Sequence, residues 1–184
     1  MKALATDSTA SDAELLSAFR GGSQRSFDLL YDRYKNALFL HARAVTRDDA
    51  VAEDLVHDTF LKLSESGDGA LPATGTLAPF LHRVLRNLAI DRLRSETAAR
   101  RREEVAALRW VRAVQPQPDA SWVEKLNRSL AALPPEQLEI LILHVYGGLT
   151  FQEAADATGV PIKTALSRYR YALQKLAQKL GESP

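Results

Sequence analysis

The fold of the C-terminal half is decided by the stretch TFQEAADATGVPIKTALSRYRYALQKL, residues Thr150 to Leu176. Thr150 followed by Glu153 is typical of a capping box that begins a helix. Gly159 permits the left-handed backbone of a tight turn, and Ala155 provides the small side chain that two crossing helices need where they approach. The stretch therefore predicts a helix-turn-helix.

The second helix of this pair carries five basic residues and no acidic one between Gly159 and Leu180. Its N-terminal half holds the residues expected to meet base edges or nearby phosphates, because that half of a recognition helix enters the major groove: Lys163, Thr164, Ser167, Arg168, Arg170 and Tyr171. An arginine can bridge a guanine edge with two hydrogen bonds. Lys175 and Lys179 lie further along and are expected to contact phosphate. A plain helical hairpin with a charged outer face is the alternative, but the capping box and the one-sided charge favour DNA binding.

The composition excludes several classes of protein. The chain has 184 residues, a formal net charge of +1 and no cysteine, which excludes disulfides and cysteine-ligated metals. Phosphate-binding, dinucleotide and nucleophile-elbow motifs are missing from the sequence, so no enzyme, cofactor or metal site is predicted. The four histidines are far apart in sequence and predict no zinc site. No signal-like apolar core or bilayer-length apolar run is present, so a cytoplasmic protein without membrane insertion is expected.

Helical spacing of apolar residues runs through the rest of the chain, with no convincing alternating strand. The fold class predicted is all-α: two small helical domains joined by a linker, the second containing the helix-turn-helix. The expected bounds are 1–97 for the first domain, 98–120 for the connector and 121–184 for the second. The connector ends in QPQPDA, Gln115 to Ala120, whose two prolines mark it as a linker.

The segment from Leu130 to Leu173 resembles the promoter −35-binding domain of bacterial sigma factors. The stretches FDLLYDRY, AEDLVHDTFLKL and FLHRVLRNLAIDRLR resemble their core-binding and −10-melting domain. Both domains in this order are similar to the extracytoplasmic-function (group IV) sigma factors. The resemblance implies a non-enzymatic factor that binds RNA polymerase core, recognises −35 duplex DNA and melts the −10 region.

The resemblance assigns polymerase binding to the helix that begins near Asp48. Six acidic residues lie between Asp48 and Glu65, a charge that suits a basic partner helix. The residues implied to bind the clamp helices of the largest polymerase subunit are Glu53, Asp54 and Asp58, with Phe60 and Leu61 as apolar anchors.

The resemblance also assigns −10 DNA to the helix that follows Thr76. The loop from Ser64 to Thr76 corresponds to the family's loop that takes up a flipped-out base, which must offset the lost stacking energy. The residues implied to contact the separated strand are Phe80, Arg83, Arg86, Asn87, Arg92 and Arg94.

Three positions depart from the family's usual pattern. Phe80 stands where tryptophan is usual, Ser64 ends the acidic-helix motif where tryptophan is frequent, and Leu166 replaces a lysine in the recognition helix. The third departure leaves the −35 sequence preference open. Two alternative functions remain: a sigma mimic that sequesters an anti-sigma factor, and a helix-turn-helix repressor. An anti-sigma factor is also a candidate partner of the chain as a sigma factor.

Overall fold

The computed structural model describes residues 10–66, 76–99 and 120–181. These residues form eight α-helices and no strand, in agreement with the predicted all-α class. The helices are α1 Asp12–Arg20, α2 Gln24–Thr46, α3 Asp49–Glu65, α4 Ala78–Ala99, α5 Ala120–Ala131, α6 Pro135–Val145, α7 Phe151–Thr158 and α8 Ile162–Gly181. Most of the predicted connector, 98–120, lies outside the described residues, so its bounds stay a prediction.

Side-chain caps fix where several of the helices begin. Ser11 and Glu14 form a complete capping box at α1, and Thr150 and Glu153 form another at α7. Asp48 caps α3, where its carboxylate accepts a hydrogen bond from the amide of Val51 at 3.1 Å. These caps satisfy amides that have no partner within their own helix, so they determine the residue at which each of these helices begins.

The first domain packs α1 to α4 around one apolar core. Its largest fully buried side chains include Leu30, Leu55, Phe60 and Leu81. The ring of Phe60 lies 4.9 Å from that of Tyr31, between centroids, and 5.8 Å from that of Phe27. Burial of this kind contributes roughly 1.5–3 kcal/mol for each large apolar side chain.

The second domain contains the predicted helix-turn-helix. Ala155 of α7 and Ala165 of α8 are both fully buried where the two helices approach. Gly159 between them has a φ of 68°, in the left-handed region that favours glycine. The ring of His144 in α6 stacks on Phe151 at 4.2 Å between centroids and packs edge-on against Tyr169, which fixes the start of α7 against α8.

The two domains pack against each other directly, α2 against α6 and α4 against α7. Apolar residues of both domains share one cluster, in which Ala78 of α4 lies with Ile140 and Leu143 of α6. A second shared cluster joins Ala44 of α2 to Leu141 of α6. The first domain thus supports one side of the helix-turn-helix domain and leaves α8 on the outside.

Candidate nucleic-acid interface and partner surfaces

The outer face of α8 carries the residues predicted to meet DNA. Of these, Lys163, Arg170, Tyr171, Lys175 and Lys179 are exposed, whereas Thr164, Ser167 and Arg168 are half-buried. The opposite face, with Ala165 and Ala172, lies in the core. All eight predicted −35 residues therefore reach the surface, but Arg168 is less exposed than the three lysines.

Two contacts within α8 orient its polar side chains. The hydroxyl of Ser167 donates to the carbonyl oxygen of Lys163 at 2.8 Å, one turn back along the helix. The guanidinium of Arg170 lies 5.3 Å from the centre of the Tyr171 ring, within the range of a cation–π contact. These contacts hold two potential DNA-binding groups against the helix before any partner arrives.

The six residues predicted to contact the −10 strand do not share one face of α4. Arg83, Asn87 and Arg94 are exposed at positions that fall on one side of the helix. Arg94 lies 3.7 Å from Asp91 on that same side, an exposed pair that stabilises little. This trio is the part of the predicted set that is open to a strand of DNA.

The remaining three residues of that set have partners within the protein. Phe80 packs against the core of the first domain. Arg92 turns toward α3, where its Nη2 lies 3.6 Å from a carboxylate oxygen of Asp54. Arg86 turns toward α6, where its Nε donates to Glu139 at 2.8 Å. Three of the six predicted −10 residues are therefore exposed on one side of α4, and the other three contact other parts of the protein.

Glu139 is the centre of a buried polar network between the domains. The same carboxylate oxygen that binds Arg86 lies 3.3 Å from Nε2 of His41, and Nδ1 of His41 lies 3.0 Å from Nδ1 of His82. Burial opposes ionisation of Glu139, but the bonds and charges of His41 and Arg86 outweigh it and lower its pKa. Burial, and then the nearby charge of His41, lower the pKa of His82 well below 6.5.

Sequence reasoning missed this network. The histidines are far apart in sequence, but α2 and α4 bring His41 and His82 together, both fully buried. Nε2 of His82 has no hydrogen-bond partner among the described residues. A glutamate inside the strongly apolar run of α6, LEILIL, is the one sequence signal that indicates a buried polar contact there.

The outer face of α3 carries most of the predicted polymerase-binding residues. Glu53, Asp54 and Leu61 are exposed, and Asp58 is half-buried. Phe60 is expected from the sequence on this face, but only 2% of its surface is exposed. Its neighbour Leu61 is 48% exposed, because adjacent residues point about 100° apart around a helix. Phe60 is a core residue, and Leu61 is the exposed apolar residue of the two.

A cleft of about 500 Å³ opens beside Leu61, between the end of α1, the start of α2 and the outer face of α3. Phe19, Phe27 and Tyr31 line its floor, and His57 lies at its edge. An apolar floor with polar edges suits an inserted side chain from a partner.

Residues of α1 bind both ends of the predicted base-capturing loop. Most of that loop, 67–75, lies outside the described residues. A guanidinium nitrogen of Arg20 donates to the carbonyl oxygen of Ser66 at 3.1 Å. The carboxylate of Asp12 accepts the amide of Leu77 at 2.7 Å, and it also binds Arg33 and the hydroxyl of Tyr34. Burial and the Asp12 carboxylate raise the pKa of Tyr34. Sequence reasoning missed this role of Asp12, which looks like an ordinary first-turn acid.

Residues 10–66, 76–99 and 120–181 hold neither a metal-binding cluster nor a membrane-spanning helix. In that part of the chain no three histidine, aspartate or glutamate side chains form a group suited to a metal ion. Its helices also include none that is long and apolar enough to cross a bilayer.

Family models match both domains. The model described as Sigma-70 region 2 matches residues 30–99, and the model described as Sigma-70, region 4 matches residues 124–176. The ECF RNA polymerase sigma factor SigM of Mycobacterium tuberculosis is 32% identical over 174 residues, which cover 93% of this chain and 85% of SigM.

Solved structures show the same fold. The sigma factor RpoE of Bartonella quintana, in complex with the anti-sigma factor NepR, is similar with a TM-score of 0.69 at 24% identity, over 87% of this chain and 99% of RpoE. CnrH, in complex with the cytosolic domain of CnrY, is similar with a TM-score of 0.60 at 25% identity, over 96% of this chain and all of CnrH.

Proposed function

Because the chain belongs to the ECF family of RNA polymerase sigma factors, we propose that three of its surfaces divide the work of such a factor. A sigma factor is not an enzyme; it binds RNA polymerase core and directs it to promoters. The observation that carries the assignment to this chain is the pair of sigma domains in their usual order, with a helix-turn-helix whose basic face is open.

The first surface, on α3, binds the clamp helices of the largest polymerase subunit. Glu53, Asp54 and Asp58 provide negative charge for a basic partner, and charge of this kind raises the rate of association. Leu61 and the cleft beside it supply apolar area at the centre of the surface. An apolar centre with a charged edge is the usual anatomy of a protein interface.

The second surface, on the outward side of α4, contacts the separated −10 strand. Arg83, Asn87 and Arg94 provide positive charge and an amide along one line of the helix. Single strands are bound by such charged tracks together with stacking side chains. The hydrogen bond from the amide of Leu77 to the Asp12 carboxylate fixes the start of α4 relative to α1, so the track has a defined position in the first domain.

The third surface, on the outer side of α8, reads the −35 duplex. Its N-terminal half presents Lys163 and Arg170 to base edges, whereas Lys175 and Lys179 meet phosphate. The net charge of the whole chain is only +1, so DNA binding depends on this local segregation of charge.

Two other functions make different demands on these surfaces. A sigma mimic that only sequesters an anti-sigma factor has no need of an exposed basic α8. A helix-turn-helix repressor has no need of an acidic α3 beside an apolar cleft. This chain has both features, which favours the sigma factor. The proposal includes the bacterial cytoplasm as its location and an anti-sigma factor as a further partner, because the similar RpoE is solved with one.

Reconstitution with core RNA polymerase on a promoter library tests the proposal. The chain is expected to give specific run-off transcripts that core polymerase alone does not give. A chain that binds neither core polymerase nor promoter DNA, with or without negative supercoiling of the template, contradicts the proposal. A chain that binds promoter DNA equally well without polymerase and gives no transcript supports the repressor.

A further inference from the structure

An apolar side chain stands in the middle of the basic reading face of α8. Leu166 lies in the second turn of the helix and is 43% exposed. Lys163 is one turn before it and Arg170 one turn after it, both exposed. On a surface otherwise suited to phosphates and polar base edges, this leucine offers an apolar contact.

Leu166 also belongs to a shallow groove with an apolar lining. Phe151 at the start of α7, Tyr169 and Leu173 line the groove together with Leu166. Lys163 and Arg170 form part of its wall, and the described residues contribute no acidic side chain to it. The charge of this wall suits a polyanion, so the occupant that the groove favours is duplex DNA.

Two polar neighbours of Leu166, Ser167 and Arg170, already have contacts within α8, so part of the base discrimination is left to Leu166. The hydroxyl proton of Ser167 is already engaged by the helix backbone. The guanidinium of Arg170 lies over the Tyr171 ring, on the other side from Leu166. In the major groove the one apolar feature by which bases differ is the 5-methyl group of thymine.

We propose that Leu166 is a specificity-determining residue that packs against the 5-methyl group of a thymine in the −35 duplex. The inference rests on the proposed function, since it needs α8 in the major groove. It gives the sequence preference of this chain a component that depends on a methyl group and not on hydrogen bonds.

Removal of the methyl group tests the contact directly. The −35 sequence is first selected with the wild-type holoenzyme, and each thymine of both strands is then replaced by deoxyuridine. At one thymine the wild-type holoenzyme is expected to bind about fourfold more weakly with uracil, the effect of one buried methyl group. With Leu166→Ala, binding to the thymine duplex is expected to fall by a similar factor, and the further effect of uracil at that position is expected to vanish.

Leu173→Ala is the matched control. Leu173 is 44% exposed and lines the same groove, but it lies seven residues, about 10 Å, further along the helix. It is expected to keep the wild-type response to uracil, because only the N-terminal half of α8 reaches the bases.

Each other outcome overturns the inference in a distinguishable way. A uniform response to uracil in the wild type, or an unchanged uracil effect in Leu166→Ala, overturns this inference alone. Weaker core-polymerase binding by Leu166→Ala, with an unchanged uracil effect in the holoenzyme that still forms, assigns the groove to the polymerase and overturns it as well. A wild-type holoenzyme that selects no −35 sequence overturns the proposed function together with it.

Discussion

Arg168 and Arg170 of α8 have the same side-chain chemistry in different surroundings. Arg168 is half-buried, whereas Arg170 is exposed beside Leu166 and lies over the Tyr171 ring. The sequence favours Arg168 as the guanine reader, because it lies one turn after Thr164. The structure favours Arg170, because it is the more exposed of the two, and a contact with two hydrogen bonds requires a guanidinium that can leave the Tyr171 ring and enter the groove.

We therefore expect Arg170→Ala to cost roughly 1–3 kcal/mol of −35 binding and to relax the preference at one base pair. Lys179 lies about three turns after Arg168 along α8. Lys179→Ala is expected to weaken binding to all sequences about equally and to reduce the salt slope by about one unit. Binding-site selection and salt titration with the holoenzyme measure both effects. If Arg168→Ala relaxes one position and Arg170→Ala relaxes none, the sequence-based assignment is the correct one.

Gly147, after α6, lies close to His82 of the first domain. A Cβ added there meets the carbonyl oxygen of Leu143 at 2.6 Å and Nε2 of His82 at 2.8 Å. Gly147→Ala is expected to lower the free energy of unfolding by about 1–3 kcal/mol, because a methyl group inserted into a packed site forces its neighbours to move. Chemical denaturation measures the change. Gly181→Ala is the control, since a Cβ there meets nothing within 4 Å; an equal effect of both variants contradicts the explanation.

At the scale of single helices, α3 has an acidic face that is proposed to bind the polymerase. Reversal of two charges, Asp54→Lys with Asp58→Lys, is expected to weaken core-polymerase binding about tenfold or more, because like charges across an interface cost several kcal/mol. Competition against an unrelated sigma factor measures the affinity, and circular dichroism checks the fold. Asp32→Lys, a reversal on the exposed side of α2, is the control. Equal affinity of the control and the double variant means that α3 is not the contact.

The helices themselves were predictable because their signals are local. The capping boxes at Ser11 and Thr150 and the turn at Gly159 depend on residues within a few positions of one another. The face of each helix was predictable only in part. Phe60 follows the apolar spacing of α3 and is buried, yet the neighbouring Leu61 is equally apolar and exposed. Composition at two adjacent positions does not say which of them meets the core.

At the scale of the whole molecule, the docking of the domains is the feature that sequence could not give. It depends on contacts between residues about a hundred positions apart, such as His41 with Glu139, and no local pattern encodes such a pair. The docking also has a consequence for DNA binding. Arg86 is predicted from the sequence to contact the −10 strand, but here it pairs with Glu139, so a DNA contact by Arg86 requires that pair to break.

The packing of the two domains is expected to lose stability as the pH falls, because His82 is buried between them in its neutral form. Its pKa in the folded chain lies well below the ordinary 6.5, so the unfolded chain binds a proton first on acidification. The stability that depends on neutral His82 is complete above about pH 6.5 and decreases below it, by at most about 1.4 kcal/mol per pH unit. The groups around His82 are His41 on α2, Arg86 on α4 and Glu139 on α6; the lowered pKa of Glu139 keeps it ionised throughout this range.

Denaturation of wild type and His82→Gln at about pH 7 and about pH 5.5 separates this effect from the other titrating groups, which both proteins share. The wild type is expected to lose about 1 kcal/mol more than the variant over this interval. Small-angle scattering at both pH values shows whether the loss accompanies separation of the domains, because a separated pair has a larger radius of gyration. If the two proteins lose the same stability, proton uptake by His82 does not control the docking, and the buried histidine pair serves only to fill the space between α2 and α4.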